Sequence, residues 1–259
     1  MLFALPLILA AKSFPVDGIV VAVDPQARTM LVSHRPIPKY MPAMMMPFHL
    51  ERPSDLEGLY PGARVHFDLV VDRSHSFARR VVRTGDAEIP PPKEKLHVGD
   101  LLGDFELRDQ QGRAVRLSEL RGKLLAIDFI YTRCPLPDVC PRLSAAFATL
   151  QRRFHDRLGT DLVLLSVTVD PEFDTPAVLA HYAKRWGTDP RGWRFLTGDI
   201  KPLAAQLGEV YWTDEGAIGH NSVTSIIGRD GRLAATVDGS NWRVDQLANL
   251  IAHELEGIR

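Results

Sequence analysis

Three consecutive prolines, Pro90, Pro91 and Pro92, stand where the hydrophobic pattern of the chain changes its period. Each ring fixes φ and removes a backbone N–H, so such a run interrupts helix and sheet alike. Lys93, Glu94 and Lys95 continue it as a stiff, solvated connector. At 259 residues the chain is also long enough for about two domains. The expected division is a first domain over residues 14–86, a linker over 87–96 and a second domain over 97–259.

Before the seam the sequence reads as short strands. Ile19 to Val23 is a largely β-branched run, the turn Asp24-Pro25 follows, and Thr29 to His34 returns. Val65, Phe67, Leu69 and Val71 alternate with Arg64, His66, Asp68 and Asp72, the two-residue period of a half-buried strand. With Phe77 to Arg83 the set comes to about five strands, which predicts a small all-β barrel of the OB type.

After the seam, strands alternate with helices. Leu124 to Tyr131 and Leu162 to Val169 read as apolar strands buried on both faces. Leu143, Phe147, Leu150, Phe154 and Leu158 recur at helical spacing. Thr175-Pro176 supplies a cap and first-turn proline for a helix through Trp186. Ser222 to Ile227 and Leu233 to Val237, joined by Arg229-Asp230-Gly231, predict a hairpin, and Val244 to Leu255 a final helix. This order predicts a thioredoxin-like α/β layer fold.

Lys plus Arg number 31 against 32 Asp plus Glu, so no basic field exists to hold nucleic acid. The opening run MLFALPLILAA is apolar but shorter than the roughly 20 residues a membrane span needs. Residues 1–13 are therefore expected to be an export signal, with Ala10 and Ala11 near a cleavage point, or a short anchor. Either reading places the protein in the periplasm or cell envelope, with any membrane association made through the N-terminus.

The chain has two cysteines, Cys134 and Cys140, which excludes a disulfide-dense scaffold and an all-cysteine zinc site. Cys134 follows the C-terminal end of a buried strand, the edge where α/β sheets place their ligands. Pro141 suits the first helical position, which makes Cys140 the expected N-cap, with its thiolate favoured by the helix N-terminus. Prolines at 135, 137 and 141 keep the intervening loop out of the helix, and a loop can bring both sulfurs together. An inert local disulfide is the plainer alternative.

The segment FIYTRCPLPDVCPRLS resembles the active-site segment of the Sco/SenC family, thioredoxin-like copper proteins of cytochrome oxidase assembly. That family carries three residues between its cysteines; this chain has five, with Leu-Pro inserted. DPEFDTP at 170–176 resembles a second family stretch, and GHNSV sets His220 where the family has its third copper ligand. The resemblance runs from about Val98 to the C-terminus. It implies a C-terminal copper site made of Cys134, Cys140 and His220, holding Cu(I) and also Cu(II). Two thiolates and an imidazole are a soft donor set that suits Cu(I). The same cysteines can form a Cys134–Cys140 disulfide and are the reacting pair if the protein is an oxidoreductase. Asp170, Asp174 and the Thr175 cap read as structural. His253 lacks a second histidine four residues on, so no zinc-protease motif is present.

Four of the six methionines fall between residues 41 and 46, and none follows Met46. On a strand, Met44 and Met46 share one face and Met45 points to the other, so core packing accounts for one face only. KYMPAMMMPF, with SHRPIPKY overlapping it, resembles the CusF-like periplasmic copper-binding domain, a small OB barrel. The resemblance covers about Val16 to Gly85. It implies His34, Met44 and Met46 as Cu(I) ligands, with Met41, at the family's tryptophan position, as a further sulfur ligand. An adaptable apolar patch of methionines is the alternative. His49, His66 and His75 read as surface residues.

Together the two resemblances imply a cell-envelope copper metallochaperone rather than an enzyme. Its partner would be the cytochrome c oxidase subunit that carries Cu(A), or another copper-accepting protein. A thiol–disulfide oxidoreductase acting on partner cysteines and a copper-resistance buffer are the alternatives.

Overall fold

The computed structural model describes residues 11–257 apart from 42–43, 61, 73–74, 88–94, 135–136, 138, 215–216 and 241. The chain divides into two compact units, Met1–Ile89 and Pro90–Arg259.

The first unit is all β. Strands β1 (Lys12–Asp24), β2 (Thr29–His34), β3 (Met44–His49), β4 (Ala63–Val71) and β5 (Ser76–Asp86) form an antiparallel sheet in the order β3-β2-β1-β4-β5. The Asp24 carboxylate accepts the N–H groups of Gln26 and Ala27, both at 2.9 Å, and so closes the expected turn between β1 and β2. β1 serves two partners: its second half pairs with β2 and its first half with β4, and a bulge between Val20 and Ala22 bends it. The sheet curls into a half-barrel, because the chain leaving β3 reaches β5. Leu50 bridges Ala78, and the Glu51 N–H donates to the Ala78 carbonyl at 3.0 Å. Val16, Val20, Met30, Val32, Phe48 and Phe67 fill the concave side. Gly18 is required at the crossing: a Cβ there would lie 2.5 Å from Val32 Cγ1 and 2.6 Å from the Ser33 carbonyl oxygen.

Some boundaries differ from the expected ones. β1 begins at Lys12, because Lys12 and Ser13 pair with Val71 and Val70, so the folded unit starts before residue 14. The ends of the expected 87–96 linker are each tied to a unit: Ala87 N–H bonds the Gly62 carbonyl and Leu96 N–H the Gln206 carbonyl, both at 2.8 Å. The apolar run at 1–10 and the prolines at 90–92 lie outside the described residues.

The second unit is a seven-stranded α/β layer. In chain order it holds β6 (Glu106–Asp109), β7 (Ala114–Arg116), β8 (Leu124–Ile130), α1 (Cys140–Arg153), β9 (Leu162–Thr168), α2 (Pro176–Arg185), β10 (Trp193–Thr197) and α3 (Lys201–Leu207). β11 (Tyr211–Asp214), β12 (Ala217–His220), β13 (Val223–Ile227), β14 (Leu233–Asp238) and α4 (Val244–Glu256) complete it. The sheet order is β14-β13-β8-β9-β10-β6-β7, and β11–β12 form a separate two-stranded ribbon. β8, β9 and β10 run parallel, and β13 and β6 flank them antiparallel. Every residue of β8 and β9 is buried, as their apolar sequence requires. α1 and α4 pack on each other and on β8, while α2 packs on β10. The hairpin β6–β7, β10, α3 and the ribbon β11–β12 add to the elements read from sequence; all are short, and hydrophobic period is a weak signal over so few residues.

Candidate metal centres

The C-terminal site forms where three elements end. β8 finishes at Ile130, and the chain continues through Tyr131 and Cys134 into α1, whose first residue is Cys140. Here the structure corrects the sequence reading. Val139, not Cys140, is the N-cap, and Pro141 takes the second helical position, so the Cys140 side chain turns inward and is fully buried. Burial pushes the Cys140 thiol well above its usual range, and hydrogen bonding to Cys134 adds to that rise. The expected stabilisation of its thiolate by the helix N-terminus is therefore overridden by desolvation. Both cysteines are thiols.

His220 ends β12 in the ribbon and is 1% exposed. Its Nε2 lies 3.7 Å from Cys140 Sγ. Its Nδ1 lies 2.8 Å from Glu209 Oε1, and the ring meets Tyr131 edge-on, with centroids 5.8 Å apart. Burial alone would push the imidazole down. The Glu209 hydrogen bond and charge, with Cys134 and Asp128 nearby, outweigh it and hold the group above its ordinary value. Tyr131, buried, hydrogen-bonds Cys134 and donates its hydroxyl to the Ile218 carbonyl at 3.0 Å, tying the cysteine loop to the ribbon. Among the described residues no three His, Cys, Asp or Glu side chains already form a closed coordination cluster, so these donors are neighbours rather than a finished cage.

The DPEFDTP stretch anchors the same loop. Asp174 is fully buried and accepts the Thr132 N–H at 3.0 Å, the Thr132 hydroxyl, and the Thr168 hydroxyl at 2.5 Å. Asp170 pairs with Arg133 at 2.6 Å, and the Arg133 guanidinium lies over the Phe173 ring. Thr175 caps α2 by accepting the Val178 N–H at 3.4 Å. Each of these groups acts on the backbone around Cys134 or α2. Beneath them Asp128 is buried in β8, and burial raises its carboxyl to about 7. Sequence reasoning passed over Asp128 inside an apolar run, and over Glu209 and Tyr131, which carry no motif of their own.

In the N-terminal unit the register sets Met44 across from His34, Met46 across from Val32 and Met45 across from Ser33. Positions 34, 44 and 46 therefore share one face of the sheet, and 45 lies on the other. His34 is 3% exposed, and its Nδ1 donates to the Arg35 carbonyl at 2.7 Å. Its Nε2 is buried with no hydrogen-bond partner among the described residues. Burial, opposed by the Arg35 carbonyl, lowers the His34 pKa and keeps the ring neutral with that lone pair available. Met41 and Met46 are partly buried against the same core, and Met41 bridges Ile37. A neutral imidazole with an orphaned nitrogen beside thioethers fits a soft ion better than it fits plain core packing. His49 and His75 are exposed, and His66 pairs with Asp17 at 2.8 Å.

A thioredoxin-like layer with two thiols and an imidazole gathered beyond its central strand defines a thiol-based protein of the thioredoxin-like class. The chain belongs to the SCO1/SenC family, whose pattern matches residues 93–256. Residues 13–78 match the pattern of the copper binding periplasmic protein CusF. The SCO1 protein homolog of Bacillus subtilis is 30% identical over 142 residues, covering 52% of this chain and 72% of that protein. The solved structure of Arabidopsis thaliana ScoI with copper bound superposes with a TM-score of 0.53 at 26% identity, over 61% of this chain and all of that one. BsSco has the same score and identity, over 63% of this chain and 97% of its own; it is described as having a disulfide switch and as one of the cytochrome c oxidase assembly proteins.

Proposed function

We propose that this protein is a two-site copper metallochaperone of the cell envelope that delivers copper to the Cu(A) centre of cytochrome c oxidase. The observation that carries this reading is the approach of His220 Nε2 to Cys140 Sγ at 3.7 Å, with Cys134 hydrogen-bonded to the same thiol. A plain dithiol exchange cycle needs a nucleophilic and a resolving sulfur but no imidazole between them and the core. In this reading Cys134, Cys140 and His220 take up copper as cargo, each thiol giving up its proton, and pass it on by stepwise exchange with acceptor thiolates or thioethers. His34, Met44 and Met46, with Met41, hold a second Cu(I) in the N-terminal unit. The CusF match and the opening apolar run support export to the periplasm, with the N-terminus as the route of any membrane association.

The test is Cu(I) stoichiometry of the reduced full-length chain. Two ions are expected, falling to one in Met44→Leu/Met46→Leu and to one in Cys134→Ser/Cys140→Ser, while His220→Ala weakens copper binding at the cysteine site. Unchanged stoichiometry in either double variant removes that site. The oxidoreductase reading is favoured by the direct Cys134–Cys140 contact, and it predicts a different outcome: His220→Ala keeps full reductase activity and wild-type copper affinity. Normal oxidase assembly in cells lacking the protein, with loss of copper tolerance alone, would favour the buffer.

A further inference from the structure

Behind the proposed His220 ligand stands a carboxylate with both oxygens engaged. Glu209 follows α3 directly, after Gly208 turns the chain in the left-handed conformation at φ 77°, and it is 3% exposed. Its Oε1 lies 2.8 Å from His220 Nδ1 and 3.3 Å from the Ser222 backbone nitrogen, and its Oε2 lies 2.7 Å from the Val223 nitrogen. A carboxylate that already receives two backbone N–H groups is an acceptor, so its bond to His220 requires the proton to sit on Nδ1. That leaves Nε2 facing Cys140 Sγ. Tyr131 closes another side of the ring, and its hydroxyl holds the ribbon at Ile218. Flipping the imidazole would break the Glu209 bond and turn a C–H toward the thiol.

We propose that Glu209 is the positioning residue that holds His220 Nε2 toward the cysteine pair and sets the preference of this site for oxidised over reduced copper. The proposal rests on the copper reading above. A negative charge bonded to the far side of an imidazole strengthens its donation to a metal. The gain is larger for the doubly charged ion, whereas two thiolates already satisfy Cu(I). Glu209→Gln keeps the shape but removes the charge, and its amide NH2 must face either an N–H of the backbone or that of His220.

The test uses the full-length chain. In the metal-free wild type, 15N-resolved NMR should find a hydrogen-bonded proton on His220 Nδ1, and Glu209→Gln should shift or lose it. On loading, the thiolate-to-Cu(II) absorption reports the C-terminal site alone, because that site contains the chain's two cysteines. Glu209→Gln is expected to weaken Cu(II) binding about 10- to 100-fold with a smaller effect on Cu(I). A tenfold selective loss corresponds to a rise of about 59 mV in the one-electron potential. Glu209→Asp, which keeps the charge, is expected to restore most of the Cu(II) affinity. Equal losses for both oxidation states, absence of rescue, or a proton on Nε2 with Nδ1 bare in the neutral ring would overturn the proposal. If the wild type gives no thiolate–Cu(II) band, the copper reading fails instead. The metal-free NMR result judges the positioning of His220 even then, and also if Glu209→Gln does not fold.

Discussion

Replacing Asp128 by asparagine should remove a large part of the pH dependence of folding in the C-terminal unit. Asp128 sits in β8 between Ser166 of β9 and Thr224 of β13 and is fully buried. Burial raises its pKa from 3.8 to about 7; the Ser166 hydroxyl pulls the other way and the Glu209 charge adds to the rise. Between these two values the folded protein holds a proton that the unfolded chain has released. Stability therefore falls as pH rises through this window and levels off above it. At about 1.36 kcal/mol per unit, three units amount to roughly 4 kcal/mol. Asp128→Asn has no such proton, so the stability of the wild type relative to the variant should drop by about 2 kcal/mol between pH 5 and pH 7. Urea unfolding followed by tryptophan fluorescence reads this unit alone, because all four tryptophans, at 186, 193, 212 and 242, lie within it. The other titrating groups are common to both proteins and cancel in the comparison. A stability difference that is the same at both pH values would refute the assignment of a buried, protonated Asp128.

Three further outcomes follow from single contacts. Asp174→Ala strands the Thr132 N–H and the hydroxyls of Thr132 and Thr168, at about 1–3 kcal/mol for each buried group. It should lower the unfolding midpoint and speed alkylation of Cys134 under native conditions, and an unchanged alkylation rate would remove Asp174 as the anchor of the loop. Gly18→Ala forces a methyl against Val32 and the Ser33 carbonyl, so the N-terminal unit should lose about 1–3 kcal/mol and become sensitive to limited proteolysis. The tryptophan-detected transition should stay in place. Gly219→Ala would bring a Cβ to 2.4 Å from the Trp212 ring in the ribbon that carries His220. Weaker copper binding at the cysteine site is expected, measured as the intensity of its thiolate–Cu(II) band, and wild-type intensity would count against the ribbon as the support of His220.

Local pattern was enough for much of the backbone. β2 spans Thr29 to His34, the run expected after the Asp24-Pro25 turn, and β8 and β9 lie within one residue of their apolar runs. Thr175-Pro176 starts α2 because a cap and a fixed φ act on neighbouring residues only. The methionine spacing likewise puts positions 44 and 46 on one face of β3 whatever surrounds them, since a strand alternates its side chains.

The chemistry of the sites depends on contacts that no short window contains. Cys140 reads as an N-cap with a favoured thiolate, yet the helix starts one residue earlier, the side chain is buried, and desolvation reverses the direction of its pKa. Asp128 looks like an interruption in an apolar run until the closed sheet buries it and raises its pKa, with the charge of Glu209, 81 positions later, adding to the rise. Glu209 itself is an ordinary charged residue after a short helix. It becomes the partner of His220 because the pairing of β11 with β12 folds the chain back by eleven residues. Backbone form follows from steric and hydrophobic rules that act between near neighbours, so the sequence carries it. The orientation of the His220 ring and the burial of the Cys140 thiol are set by donors and packing from distant segments, and only the closed tertiary structure supplies them.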